Sequence, residues 1–196
     1  MSRVPAIRFK GFTDPWEQRK LGEVADFTNG DRGINYPNPS DYVQNGIPFI
    51  NAGDLQNGVV DLKNANKITV DKYNQLGGAK LKPGDILYCL RGTLGKNGLF
   101  IGAKEGTIAS SLVAIRPLKG NLRFLFYVLN SDIELRQRML CDEGAAQPNL
   151  SASNVAGYLI PFPDEQEQAQ IGIFFSRLDQ LITLHQRKRF VLFSSA

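Results

Sequence analysis

Apolar positions recur along this chain in two rhythms. Between Ile47 and Arg116 they come in short runs: Ile47 to Asn51, Lys67 to Val70, Asp85 to Arg91, Gly98 to Gly102 and Thr107 to Arg116. Each run is bounded by Gly, Pro, Asn or Asp, the pattern of strands in a compact mixed sheet. Leu81-Lys82-Pro83-Gly84-Asp85 predicts a tight turn into the most apolar of them, Ile86 to Leu90. From Glu165 the rhythm becomes helical. Ile171, Leu178, His185 and Leu192 recur every seven residues, with Phe174, Leu181, Phe175 and Ile182 filling adjacent positions of one stripe. Asp164 with Glu167 predicts a capped start, and Arg187, Lys188 and Arg189 complement the negative pole. At about 1.5 Å per residue, residues 165–189 span roughly 36 Å. Such a helix needs a partner for its apolar side.

The remaining segments fill in between. Residues 1–12 read as a loose leader. Asp14-Pro15-Trp16-Glu17 predicts a helix start, with a helical turn following through Leu21 to Ala25. Asn29 to Pro39 is turn chemistry almost throughout and predicts an exposed loop. Leu122 to Leu129 predicts a buried, aromatic-rich helix, and Ser131 with Glu134 a capping box that opens a helix running to about Cys141. A loop over residues 144–153 and a short element from Val155 to Ile160 come next. The expected fold class is α+β: a compact mixed-sheet domain with short helices over residues 1–163, then a long C-terminal helix over 164–196 that pairs as an antiparallel coiled coil.

Composition narrows the function classes. At 196 residues and 42% hydrophobic, the chain suits one domain plus an appendage. No apolar run approaches the roughly 18 residues of a membrane span, and the basic N-terminus lacks a signal-peptide core, so no membrane partner and a cytoplasmic location are expected. Cys89 and Cys141 lie in apolar contexts, which predicts reduced buried thiols, and with one histidine, His185, a zinc site is not expected. A net charge of +4 permits a polyanionic partner without requiring one.

Catalytic motifs fail on inspection. Gly92-Thr93-Leu94-Gly95-Lys96 invites a phosphate-loop reading, but Leu90 stands where the first Gly belongs and Asn97 where Ser or Thr belongs. Asp41 with Asp61-Leu62-Lys63 is a nuclease pattern common by chance. Asn38-Pro39-Ser40-Asp41 lacks the aromatic that an amino-methyltransferase stacks on a flipped base. His185, far out on the helix, leaves Ser or Cys nucleophiles without a base. No catalytic residue, metal or cofactor is therefore expected in this chain. What remains is polar and lies in loops: Asn29, Asn35 and Asn38, then Gln147, Asn149, Ser151, Ser153 and Asn154. Asn and Gln pair bidentately with adenine, while Arg91, Lys96 and Lys104 suit phosphates or, for Arg91, a guanine edge. The same side chains equally satisfy turns. The residues alone leave both readings open.

One resemblance separates them. Trp16…Leu21-Gly22-Glu23, Ile47-Pro48-Phe49-Ile50…Asp54-Leu55…Gly58, Leu81 to Leu87, Gly92 to Lys96, Gly144 to Ser151, Pro161-Phe162-Pro163 and Glu167-Gln168…Ile171…Leu178-Asp179, in that order, resemble the specificity subunit of type I restriction-modification systems. The resemblance implies a target recognition domain followed by a conserved spacer helix. Two such repeats in one chain each read half of a split double-stranded DNA target, and the helices pair antiparallel and dock methyltransferase subunits. S-adenosylmethionine, ATP and Mg then belong to partner subunits, the last two to a motor and nuclease subunit. It implies DNA contacts from Arg32, Asn35, Arg91, Thr93, Lys96, Asn97, Lys104, Gln147, Asn149, Ser151, Ser153 and Asn154. Homodimerisation is expected through Ile171, Phe174, Phe175, Leu178, Leu181, Ile182 and His185. With one repeat present, the chain corresponds to half a specificity subunit. Two alternatives are the specificity half of a single-chain restriction-methylation enzyme and a protein-interaction module without a DNA role.

Overall fold

The computed structural model describes Pro5, residues 7–141 and residues 149–194, with side chains through Gln186. In chain order the elements are β1 (Glu17–Lys20), β2 (Ala25–Asn29), β3 (Tyr42–Ile50), β4 (Leu55–Gln56), β5 (Val59–Val60), β6 (Asn66–Ile68) and α1 (Val70–Gln75). There follow β7 (Ile86–Cys89), β8 (Asn97–Leu99), β9 (Thr107–Ile108), β10 (Leu112–Pro117), α2 (Leu122–Val128) and α3 (Asp132–Cys141). The chain closes with α4 (Ala152–Ala156), β11 (Leu159–Phe162) and α5 (Glu165–Ser194). Single 3-10 turns link several of them.

A six-stranded sheet in the order β2-β10-β7-β8-β5-β4 forms the centre. Its inner strands are apolar at nearly every position because both faces are covered. On one face Ile86, Tyr88, Val113 and Ile115 meet Phe124, Leu125 and Val128 of α2, together with Val155, Tyr158 and Ile160. On the other, Leu87, Cys89, Leu112 and Ala114 meet Ile50, Leu55, Phe100 and Ile108. The alternation along each strand thus separates two cores rather than core from water. A second sheet, β6-β3-β9, carries a third cluster around Phe49, Ile68 and Tyr73, and β1 pairs with β11 alone. The mixed α+β architecture with a long C-terminal helix agrees with the sequence reading.

Several elements differ from that reading. Glu17–Lys20 is a strand, not a helix start, since its backbone pairs antiparallel with Leu159–Phe162, and a distant partner outweighs the local Asp-Pro signal. The expected run from Thr107 to Arg116 is two strands, broken at Ala109–Ser111, because β9 joins β3 of the second sheet while β10 lies between β2 and β7. The helix α1 begins where the second expected strand was to end, with Thr69 Oγ1 accepting from the Lys72 amide at 3.1 Å. Ser131 accepts from the Ile133 amide, but Glu134 does not complete a capping box: its buried carboxylate takes the Tyr88 hydroxyl and Arg138 Nε (2.9 Å) instead. The leader is also not loose throughout, for Arg8 and Phe9 pack on α5.

Candidate nucleic-acid interface

Antiparallel pairing of β10 with both β2 and β7 fixes which loops meet. The C-terminal ends of β2 and β7 and the N-terminal start of β10 all lie at one end of the central sheet. Main-chain bonds then gather the loops that leave this pole. The Leu90 amide donates to Ser111 O at 2.8 Å, and the Leu150 amide to Leu90 O at 3.0 Å, so the segment bearing Asn149 and Ser151 joins the end of β7. Arg32 Nη2 reaches Ser110 O at 3.5 Å, and Lys96 Nζ reaches Ala52 O at 3.2 Å. Arg91, Thr93, Asn149, Ser151, Ser153 and Asn154 lie here, all exposed, with Lys96 half-buried; Asn35 is exposed on the flank beside Arg32.

The turn between β7 and β8 is shaped from behind. Gly95 has a φ of +78°, and a Cβ there would lie 2.8 Å from Arg138 Nε and 2.9 Å from Glu134 Oε1. Burial and then the bond to Glu134 push the Tyr88 phenol well above its ordinary range, so it stays a protonated donor. Burial likewise raises the Cys89 thiol, which donates to Arg91 O at 2.9 Å. Among the described residues, no ion pair involves Arg32, Arg91 or Lys96. Their charge is therefore available to an anion.

Two expected contacts, Asn97 and Lys104, fall elsewhere. Asn97 is buried, its Nδ2 donating to the carbonyls of Gly95 (2.9 Å) and Leu129 (3.2 Å) and exchanging bonds with Asn130. It ties β8 to α2 and faces no solvent. Lys104 follows the far end of β8, in the stretch where Phe100 and Gly106 pair with Asp85 and Leu81, so it sits at the opposite end of the sheet. Gln147 lies outside the described residues. Ser151 and Asn154 also serve the local backbone, forming the capping box of α4 in which Ser151 Oγ accepts from the Asn154 amide at 3.0 Å. Conversely, sequence reasoning missed Ser110 and Ser111, hidden inside an expected strand, and the Asn51–Gly53 turn beside Lys96. A polar pair interrupting the apolar run was the available signal.

The helix α5 is built on two sides. Gly172, Ser176 and Asp179 face α2. A Cβ at Gly172 would meet Arg123 Cβ at 2.9 Å, while Arg123 Nη1 donates to Ser176 at 2.9 Å and the Tyr127 hydroxyl to Asp179 at 2.7 Å. The other side is open from Leu178 onward: Leu178, Leu181 and Ile182 are 37–55% exposed and His185 is exposed, while Phe174 and Phe175, each under half exposed, pack on Phe9 (5.8 Å) and on Tyr127 of α2 (5.3 Å). Ile171 is the exception, packing partly into the domain core rather than belonging to the open stripe. Ile173 and Leu184, which the heptad reading omitted, are about half exposed as well.

Among the described residues no group of His, Cys, Asp and Glu could hold a metal, and no helix is long and apolar enough to cross a membrane. The lobe, built on three sheets, thus collects polar loops at one pole and carries the long helix α5. The family model for the type I restriction modification DNA specificity domain matches residues 13–192, and the chain belongs to that family. It is 25% identical over 183 residues to the MjaVIII specificity subunit of Methanocaldococcus jannaschii, covering 90% of this chain and 42% of that one. It is 26% identical over 172 residues to the EcoBI specificity subunit of Escherichia coli, covering 86% and 35%. Both relatives are specificity subunits of type I restriction enzymes, and the chain spans less than half the length of either. Its fold matches the HsdS subunit from Thermoanaerobacter tengcongensis with a TM-score of 0.65 at 22% identity, over 91% of this chain and 41% of that one. A chain from a type I restriction-modification complex matches with a TM-score of 0.69 at 22% identity, over 91% and 42%.

Proposed function

We propose that this chain is a non-catalytic sequence-reading component of a type I restriction-modification system, recognising one half of a split DNA target. Residues 1–163 form the reading lobe and 164–196 the spacer helix. Two copies pair antiparallel through α5, and the paired helices dock methyltransferase subunits. S-adenosylmethionine, ATP and Mg act on the methyltransferase and motor subunits. The observation that carries this reading is the open apolar stripe on a rod fixed to a lobe whose polar loops converge at one pole. A 30-residue helix is about 45 Å long. An antiparallel pair of this size suits two lobes on one face of a duplex, about a helical turn or roughly 34–36 Å apart. A symmetric pair reads an interrupted palindrome.

The test is a reconstituted complex of the chain with methyltransferase subunits, followed by methylome sequencing and duplex retardation. Specific retardation and methylation at a bipartite site support the reading; binding indifferent to sequence refutes it. Within that assay, Asn149→Ala and Gln147→Ala relax preference by about 1–3 kcal/mol each, through loss of base-edge bonds. Lys96→Ala weakens all sequences alike and flattens the salt dependence by about one in log-log slope. Wild-type methylation patterns from both amide variants would clear that loop of reading.

A further inference from the structure

The first turn of α5 holds two consecutive buried polar side chains, Glu167 and Gln168, neither more than 1% exposed. Burying such groups is unfavourable unless each is fully paired. Both are. The Glu167 carboxylate accepts Arg8 Nε at 2.9 Å, Arg8 Nη2 at 2.6 Å and Trp16 Nε1 at 2.8 Å, and the Glu167 amide donates to Asp164 Oδ1 at 2.9 Å. Arg8 is anchored in turn on Asp14 O at 2.6 Å, and Phe9 packs edge-on against Phe174 at 5.8 Å. On the other side, Gln168 accepts the Asn121 amide at 2.8 Å and donates to Pro163 O at 2.8 Å. The helix start is thus gripped from two directions, by the segment before β1 and by the entry to α2.

We infer that Glu167, through its bidentate pair with Arg8 and its bond to Trp16, fixes the angle at which α5 leaves the lobe and so sets the length of the unread spacer between half-sites. The inference rests on the proposed reading of a split target. A paired Arg–carboxylate fork has one preferred geometry, whereas apolar packing at the same place tolerates sliding. Leverage makes the angle matter. With α2 bearing on α5 as far as Asp179, the arm beyond that fulcrum, residues 180–194, is about 22 Å long, and a swing of about 10° moves its far end by about 4 Å, roughly one base-pair step of about 3.4 Å. Glu167, Arg8 and Trp16 are positioning residues, since none lies at the reading pole.

The experiment uses the full chain reconstituted with methyltransferase subunits and maps methylated sites by sequencing. Glu167→Gln, Arg8→Lys and Trp16→Phe are expected to keep the bases of both half-sites while spreading methylation onto spacers one or two base pairs longer or shorter. The share of methylation at the wild-type spacer falls severalfold. A merely destabilising change lowers methylation at every site alike and leaves the ratio between spacer lengths unmoved, so that result overturns the inference. So does a single unchanged spacer in folded Arg8→Lys and Trp16→Phe proteins, which decide the matter if Glu167→Gln fails to fold. If the wild-type complex methylates no bipartite site, the proposed function fails and takes this inference with it. An unchanged spacer in the variants sinks the inference alone.

Discussion

Leu178→Asp is expected to abolish the proposed pairing through α5 and leave the chain monomeric. Leu178 lies mid-stripe on α5, 37% exposed, between Phe174 and Phe175 on one side and Leu181 and Ile182 on the other. With 37% of its surface still to bury, each Leu178 contributes about 0.6–1.1 kcal/mol, and twofold symmetry counts the site twice, giving about 1–2 kcal/mol before any cost of enclosing a carboxylate. At about 1.4 kcal/mol per decade, the dissociation constant rises about five- to thirtyfold from the lost leucine alone, and further for the buried charge. Leu178 belongs to none of the lobe's apolar clusters, while α5 meets α2 through Gly172, Phe175, Ser176 and Asp179. Near-ultraviolet circular dichroism of the variant therefore matches that of the wild type. Sedimentation equilibrium decides the point: a wild-type monomer, or a variant that associates equally well, rules out pairing through this stripe.

Gly30→Ala is expected to have the largest effect on stability. Gly30 follows β2 and opens the loop carrying Arg32 and Asn35. A Cβ at this position would lie 2.3 Å from Ile108 O and 2.6 Å from Ala109 O. Neither strand can retreat easily, because the Ala109 amide is bonded to Ile50 O at 2.8 Å and the Leu112 amide to Ala109 O at 3.0 Å. Overpacking typically costs about 1–3 kcal/mol, and contact with backbone rather than a flexible side chain places this case at the upper end or above. For a chain of this size, about 3 kcal/mol lowers the unfolding midpoint by roughly 6–12 °C. Gly33→Ala, three residues on at a φ of +74° with open space around it, costs less, so the two variants separate crowding from backbone strain. Thermal unfolding of both is the check. Equal midpoints for Gly30→Ala and wild type would mean that the sheets part at little cost.

The legible parts of this fold are those whose cause is local. The apolar run from Ile86 to Leu90 announces a doubly covered strand, and the seven-residue spacing announces α5. The strand β1 was not legible, because what makes Glu17–Lys20 extended is Leu159–Phe162, far along the chain. The candidate interface divides in the same way. Arg91, Thr93 and Lys96 share the turn between β7 and β8, so their proximity in sequence is also proximity in space. Asn97 is next in sequence, yet strand pairing turns its amide into the gap between β8 and α2. Lys104 is near them in sequence only because β8 is short, and Phe100 carries the chain to the far end of the sheet. Glu134 illustrates a different failure: its spacing from Ser131 fits a capping box, but the Tyr88 hydroxyl offers a stronger buried partner.

The loops at this pole of the central sheet are held mainly through peptide carbonyls: Ser111 O by the Leu90 amide, Leu90 O by the Leu150 amide, Ser110 O by Arg32 and Ala52 O by Lys96. Because the carbonyl is common to every amino acid, exchanging the side chains at positions 93, 110, 111 or 149 leaves much of this lattice standing, whereas Asn51, whose side chain caps the turn at Ala52–Asp54, belongs to the frame. Under the proposed function, such a surface can drift toward new addresses in small substitutions, each tested on an unaltered frame. Laboratory randomisation confined to those positions has a better prospect of returning folded readers with altered targets than mutagenesis spread across the whole lobe.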